Sequence, residues 1–493
     1  AMETPRSPVP CGLPGAWTVR LARSRRLRRC LRQANGTSHK SASGCEVKRC
    51  GGCLRVSRLT KETIHNGLQL LRVRYGLPYV ELPDCDPSDL GRFHLFLLQQ
   101  GKERTSVAFP RRQRRENNGL CSLHRLGRRH RWELALSVAS IKRNLPPGCP
   151  VHTPSARLDW ELNACSQPPP VDPEYLKHVR RVCTRIFTTG WDRSYDSFVG
   201  SHLPNPTARK PLRSRADLLW AGRREEFISR CKDETSHSGL MTCRYKEVNT
   251  AGKCRPLLIF DEDVDVLAPL HRLVYNHLGK STDWLLVGPP TNERITRTCV
   301  NEVQTSVDLI SATDGLPHQV SEAILDTAFF TSVKIPRSVR RLAYGSLSPL
   351  FRSSEGVLRR VRHGTSMGSY LSFPLLCLQS YCAASWAARF DCSARFLVNG
   401  DDCLVSCSRG LSVQDYPSGY RLNAQKTTVS KNVAELNSTV FLQAGGAWRE
   451  IRHARRLGAV SDYQGMLHMA KACSISPGWQ DAYSRTRIGR RWG

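Results

Sequence analysis

The chain has 493 residues, and its 74 lysines and arginines outnumber its 42 aspartates and glutamates to give a formal net charge of +32. Such a length excludes one small core and implies two to four lobes. The charge says little about fold, but Lys and Arg in excess gain by releasing counterions from a polyphosphate, so nucleic acid is the first partner class and an anionic membrane surface the second.

The first 60 residues, with "RLARSRRLRRCLRQ" and "CEVKRCGGC", hold almost no acids and predict a basic, poorly ordered arm. Cys45, Cys50 and Cys53, with His39 upstream, are zinc-ligating types, but their spacing fits no standard finger and zinc is not expected there. The 20 cysteines, scattered from Cys11 to Cys473, lack the dense spacing of a secreted scaffold and read as reduced thiols in an intracellular chain. No apolar leader opens the sequence.

A second basic block, residues 110–132, reads as a surface loop or partial helix, its charges either solvated or tracking phosphates. The breaks "NLPPGCP" and "SQPPPVDPEY" bracket a linker at 144–174. From about residue 240 strand-like and helix-like segments alternate. "KCRPLLIF" predicts a strand, "DVLAPLHRLVYNHLG" an amphipathic helix, "TSVDLISATDG" a strand broken at Gly315, and "PHQVSEAILDTAFF" a helix. Residues 369–388 carry no charge; Gln379, Pro374 and the serines make them a buried helix rather than a membrane span. "FLVNGDDCLVSC" predicts a hairpin turning at Asn399-Gly400, and "LNAQKTTVS" a further helix. The order fits an α+β fold with a split βαβ arrangement around one antiparallel sheet.

The hairpin raises a chemical question, because Asp401 and Asp402 place two like charges at its tip. Taken alone they are solvated turn residues. A third carboxylate, Asp308, follows a β-forming run, and hard carboxylates from neighbouring strands suit Mg²⁺ held against phosphates. Neighbouring residues on a strand face opposite ways, so only one of the pair can point squarely at Asp308, and Asp401 is the expected partner. Two such ions form the clamp that in-line phosphoryl transfer requires. Mn²⁺ is an alternative.

Other segments gain meaning from their order. "GTSMGSYLSFP" forms a loop bounded by Gly364 and Gly368 and containing Ser366, where the backbone can approach a nucleotide closely. Ser372 is the expected cap of the following helix, with Pro374 in its first turn. Lys253 and Arg255, two apart, share one strand face and suit a triphosphate, or else a solvated edge. Lys426 could protonate a leaving pyrophosphate, or simply be a surface lysine.

The ordered set "GKCRPLLI", "VDLISATDG", "GTSMGSYLSFPLLCL", "NGDD" and "LNAQKTTVS" resembles motifs F, A, B, C and D of viral RNA-dependent RNA polymerases. More narrowly, "LAPLHRLVYNHL", "DWLLVG", "SMGSYLSFPLLCL" and "VNGDD" resemble the ourmia-like (botourmiavirus) enzymes of plants and fungi. The resemblance implies a right-hand polymerase: an N-terminal region and fingers at 61–240, fingers with motif F at 241–300, a palm at 301–445 and a short or incomplete thumb at 446–493. It implies metal ligation by Asp308 and Asp401 with Asp402 in support, catalytic help from Lys426, and nucleotide contacts from Lys253, Arg255, Gly364, Ser366, Gly368 and Asn399. Asp314 and Ser372 would sense the ribose 2′-hydroxyl, although Leu376 stands where many such enzymes carry an asparagine. The implied partners are RNA template and product, NTPs, and other viral or host proteins, in the host cytoplasm. A reverse transcriptase-like polymerase and a non-catalytic RNA-binding or coat protein are the alternatives; Asn399-Gly400 before the aspartates argues against the first, and the carboxylate set against the second.

Overall fold

The computed structural model describes residues 50–77, 86–102, 126–168, 170–203, 223–234, 237–250, 253–310, 315–455, 457 and 463–492. Two compact units emerge: residues 1–145, 149–152 and 453–493 form one, and residues 146–148 and 153–452 the other.

In its described residues the first unit is helical, with helices Gly51–Tyr75, Pro87–Lys102, Arg128–Arg143, Tyr463–Cys473, Pro477–Arg485 and Arg487–Trp492. The helix Gly51–Tyr75 begins inside the stretch expected to be an arm, because Ile64, Leu68 and Leu71 recur on one face and are buried. Residues 1–49 and 103–125, the latter including 110–125 of the second basic block, lie outside the described residues. At the C-terminal end of this helix the Arg74 guanidinium lies 5.2 Å from the Tyr75 ring centre and 5.4 Å from that of Trp479, while Tyr75 donates to Glu133 at 2.8 Å. Residues 453–493 thus group with the N-terminal helices.

Among its described residues the second unit holds eleven strands: β1 (Thr242–Thr250), β2 (Lys253–Phe260), β3 (Val303–Val307), β4 (Leu350–Arg352), β5 (Leu358–Arg360), β6 (Arg395–Asn399), β7 (Asp402–Cys407), β8 (Thr428–Ser430), β9 (Val433–Leu436), β10 (Thr439–Ala444) and β11 (Ala447–Glu450). They form three sheets ordered β2-β1-β4-β5, β11-β10-β9 and β6-β7-β3-β8. The last is antiparallel throughout, with β3 central between β7 and β8. β2 and the helix His318–Phe330 form where the pattern predicts them, and the charge-free segment is the buried helix Ser372–Ala387. No helix among the described residues is long and apolar enough to cross a membrane.

Two expectations fail. "LNAQKTTVS" is a turn running into β8, not a helix: the Asn423 carbonyl accepts from the Thr427 N–H at 2.7 Å, and the β-branched Thr427, Thr428 and Val429 favour the strand that pairs with β3. The supposed linker contains a helix, Arg157–Cys165, whose Trp160 packs against Tyr245 and Phe351, both at 4.9 Å between ring centres. Prolines flank that helix without entering it.

Candidate active site

β3 and β7 pair in register up to Val307↔Cys403. Asp308 and Asp402, one step further along each strand, therefore reach the same end of the sheet. β6 and β7 pair to Asn399↔Asp402, which leaves Gly400 and Asp401 as a two-residue turn with Asp401 exposed. Gly400 supplies the positive φ of 67° that the tight turn requires. Its N–H donates to the sulfur of Cys377 at 3.2 Å, and the Asn399 side chain donates to the Leu286 carbonyl at 2.9 Å. Asn399 thus fixes the base of the hairpin through the backbone beside β6.

Lys426 Nζ lies 3.0 Å from Asp308 Oδ2, while the Asp308 carbonyl accepts from the Asn423 N–H at 2.8 Å. Asp308 Oδ2 itself accepts no hydrogen bond and meets the Lys426 ammonium as an ion pair. The three carboxylates do not gather as a trio. Among the described residues, the single group of three or more Cys, His, Asp or Glu whose ligand atoms all lie within 4.8 Å of one another is elsewhere in the chain. Repulsion is the physical reason, since two like charges about 4 Å apart at an effective dielectric of about 20 cost roughly 4 kcal/mol. An all-oxygen donor set at one sheet end, with a cation already drawn to Asp308, is nonetheless the chemistry a hard divalent ion takes.

A cleft of ≈ 330 Å³ opens beside Asp308, with Leu309, Trp160, Pro256, Gly315, Tyr420 and Arg421 among its lining residues. Pro256 follows Arg255 on β2, so that strand forms one wall while the Asp308 segment contributes to another. Lys253 and Arg255 occupy alternate positions of β2, paired with Thr250 and Val248, and Arg255 is exposed. A smaller hollow shares Trp160, Asn163 and Pro256 with the cleft and is lined by the 363–367 loop.

That loop is held at both ends. The Gly364 N–H donates to the Leu316 carbonyl at 2.8 Å, and His318 Nε2 donates to the Gly364 carbonyl at 2.9 Å. Burial pushes the His318 ring down to about 4, so it stays neutral and keeps that role. At the other end the Leu258 N–H of β2 donates to the Met367 carbonyl at 3.1 Å. A Cβ on Gly368 would lie 2.0 Å from the Leu258 carbonyl oxygen, so only glycine fits. Ser372 does not cap the helix. Leu371 is the N-cap residue, and Ser372 Oγ donates back to the Ser366 carbonyl at 2.5 Å, fastening the loop to the helix start. Leu376 is buried, and Asp314 lies outside the described residues.

Sequence reasoning missed Trp160 and His318, whose roles rest on partners far away in the chain. It also missed a separate cluster, Cys50, Cys53, Cys149 and His152. Cys45 and His39 lie outside the described residues. The signal that could have found the cluster is the pairing of Cys-x-x-Cys at 50–53 with Cys-Pro-x-His at 149–152.

No protein-family model matches the chain, and no curated protein does. Among solved structures the chain is similar in fold to the RNA-dependent RNA polymerase of a human picorbirnavirus. The TM-score is 0.51 at 13% identity, covering 77% of this chain and 81% of that one. The likeness is one of fold.

Proposed function

We propose that the chain is a viral RNA-directed RNA polymerase that extends RNA from NTPs on an RNA template. The observation that carries this reading is the meeting of Asp308 with the Asn399–Asp402 hairpin at one sheet end, beside a cleft walled by β2, in a fold similar to that of a viral RNA polymerase. The excess of cations supplies affinity for the template and product.

The residues divide the work. Asp308 and Asp401, with Asp402 in support, would hold Mg²⁺ or Mn²⁺, which when bound neutralises the triphosphate and lowers the pKa of the attacking 3′-hydroxyl. Lys253 and Arg255, which alternate with the cleft-lining Pro256 along β2, bind the triphosphate in this reading. Lys426, 3.0 Å from Asp308, holds the proton that the leaving pyrophosphate takes. The Gly364–Gly368 loop, with Ser366, positions the nucleotide by its backbone. Asp314 and Ser372 read the 2′-hydroxyl. In this reading the sheet β6-β7-β3-β8 is the palm, the stretches "LAPLHRLVYNHL", "DWLLVG", "SMGSYLSFPLLCL" and "VNGDD" support an origin among the ourmia-like viruses, and the site of action is the host cytoplasm.

The test is primer extension by the purified chain with NTPs, Mg²⁺ and a short RNA template. Template-dependent incorporation is expected. RNA binding without incorporation in either Mg²⁺ or Mn²⁺ would instead assign the chain to the non-catalytic RNA-binding or coat proteins.

A further inference from the structure

Four soft ligands from two segments distant in sequence converge in the helical unit, and none of them is a residue assigned above. Cys50 Sγ lies 3.9 Å from Cys149 Sγ, Cys53 Sγ lies 3.4 Å from His152 Nδ1, and Cys149 Sγ lies 3.7 Å from His152 Nδ1. All four ligand atoms fall within 4.8 Å of one another. A tetrahedral ion with Zn–S of about 2.3 Å and Zn–N of about 2.05 Å separates its sulfurs by about 3.8 Å and sulfur from nitrogen by about 3.6 Å. The observed separations agree with those edges to within about 0.2 Å. They do not suit a disulfide, whose sulfurs sit about 2.05 Å apart.

We propose that Cys50, Cys53, Cys149 and His152 form a structural zinc site.

The local backbone is shaped for it. Cys50 is the N-cap residue of the helix Gly51–Tyr75, so the positive end of a 25-residue helix faces the thiolates. Between the two helix-side ligands Gly52 leaves room for the third: a Cβ there would stand 3.1 Å from Cys149 Sγ and 3.6 Å from Cys50 Sγ. On the other side Cys149-Pro150-Val151-His152 folds as a tight turn that brings Cys149 Sγ and His152 Nδ1 to 3.7 Å. Cys149 itself is buried, and the other three are half-buried.

Three thiolates and one imidazole select Zn²⁺ over Mg²⁺ or Ca²⁺, which prefer oxygen. With four protein ligands no coordination position remains for a substrate, so the ion holds structure. It ties the start of one helix to a turn 99 residues away in sequence. The inference does not depend on the polymerase reading, because none of the four residues takes part in it.

The experiment uses the full chain purified under reducing conditions. Metal analysis is expected to find about one zinc per chain. Cys53→Ser and His152→Ala should lose it, whereas Cys392→Ser, an exposed cysteine of the other unit, should retain it. Chelation should lower the thermal midpoint of the wild type. Exchange with Co²⁺ should give thiolate charge-transfer bands and the intense visible bands of a tetrahedral centre, a readout that stands even if a variant fails to fold. A zinc-free wild type that takes up no cobalt would overturn the proposal. So would full retention of zinc by folded Cys53→Ser and His152→Ala, which would put the metal elsewhere.

Discussion

Gly368→Ala tests whether the loop before the helix Ser372–Ala387 must lie flat against β2. The new Cβ would start 2.0 Å from the Leu258 carbonyl oxygen, and side-chain carbons essentially never come closer than 3.0 Å, so something must move by about 1 Å. The neighbour is backbone and cannot swing aside. The same backbone carries the bond from the Leu258 N–H to the Met367 carbonyl at 3.1 Å, which such a shift strains or breaks. A non-glycine residue at φ 124° adds about 1–3 kcal/mol, and the weakened hydrogen bond about 1 kcal/mol. We expect a stability loss of roughly 2–4 kcal/mol in denaturant titration. Single-nucleotide incorporation should fall about 100-fold in kcat, since a displacement near 1 Å at a positioning element costs that much. Gly356→Ala is the control: it shares a positive φ, 82°, but its Cβ would meet nothing within 4 Å. Wild-type incorporation by Gly368→Ala would refute the close approach as a functional constraint.

Asp308→Ala or Asp401→Ala should abolish nucleotide incorporation while filter-binding affinity for RNA stays within about twofold, because the basic surface supplies that affinity; near-normal synthesis in either variant would remove these residues from the catalytic set. Neutralising Lys253 and Arg255 together should raise KM for NTP more than it weakens RNA binding, and the opposite pattern would move them to the template path. Asp192 is buried and accepts from Ser332 Oγ at 2.6 Å and from the N–H groups of Val333, Lys334 and Ile335 at 2.9, 2.6 and 3.0 Å, so Asp192→Ala should cost roughly 3 kcal/mol in chemical unfolding. Burial alone would raise the Asp192 pKa, but those bonds together outweigh it and hold the carboxyl below its ordinary value of 3.8; its stabilisation is therefore complete above that value and lost as pH falls through the folded-state value, and the melting temperatures of wild type and Asp192→Asn should converge only on the acid side.

What could be read from the sequence was whatever depends on near neighbours. Alternation marks β2, helical spacing marks His318–Phe330, and Asn399-Gly400 marks the hairpin, because each pattern is a local response to one buried face. The exposure of Asp401 at the turn follows from the same two residues. Long-range partners defeated the rest. β8 is a strand because β3 pairs with it across 120 and more residues, which no window on "LNAQKTTVS" contains. The helix Arg157–Cys165 forms between prolines because Trp160 finds Tyr245 and Phe351, and because Glu161 accepts from the Ser354 N–H at 2.8 Å. Cys50 and Cys53 are two ligands short until the chain returns with Cys149 and His152.

β2 joins two parts of the candidate site that sequence analysis treats as separate motifs. It is an edge strand of its sheet, paired with β1 along one side. Its outer side is not left open: Leu258 receives Met367 there, while Lys253 and Arg255 lie toward the other end of the same eight residues. A strand of that length is stiff, so a push at Leu258 reaches the Lys253 end as a tilt rather than being absorbed locally. The two perturbations nevertheless differ in kind. Removing the cations takes away binding energy, which appears in KM, whereas Gly368→Ala leaves the charges in place and misplaces the loop, which appears in kcat. Combining them measures the coupling through β2. If the strand transmits the displacement, the charges already sit wrongly in Gly368→Ala, and their removal should cost less there than in the wild type. Strict additivity would show that the loop and the cations act independently, and that the strand between them is only a place of attachment.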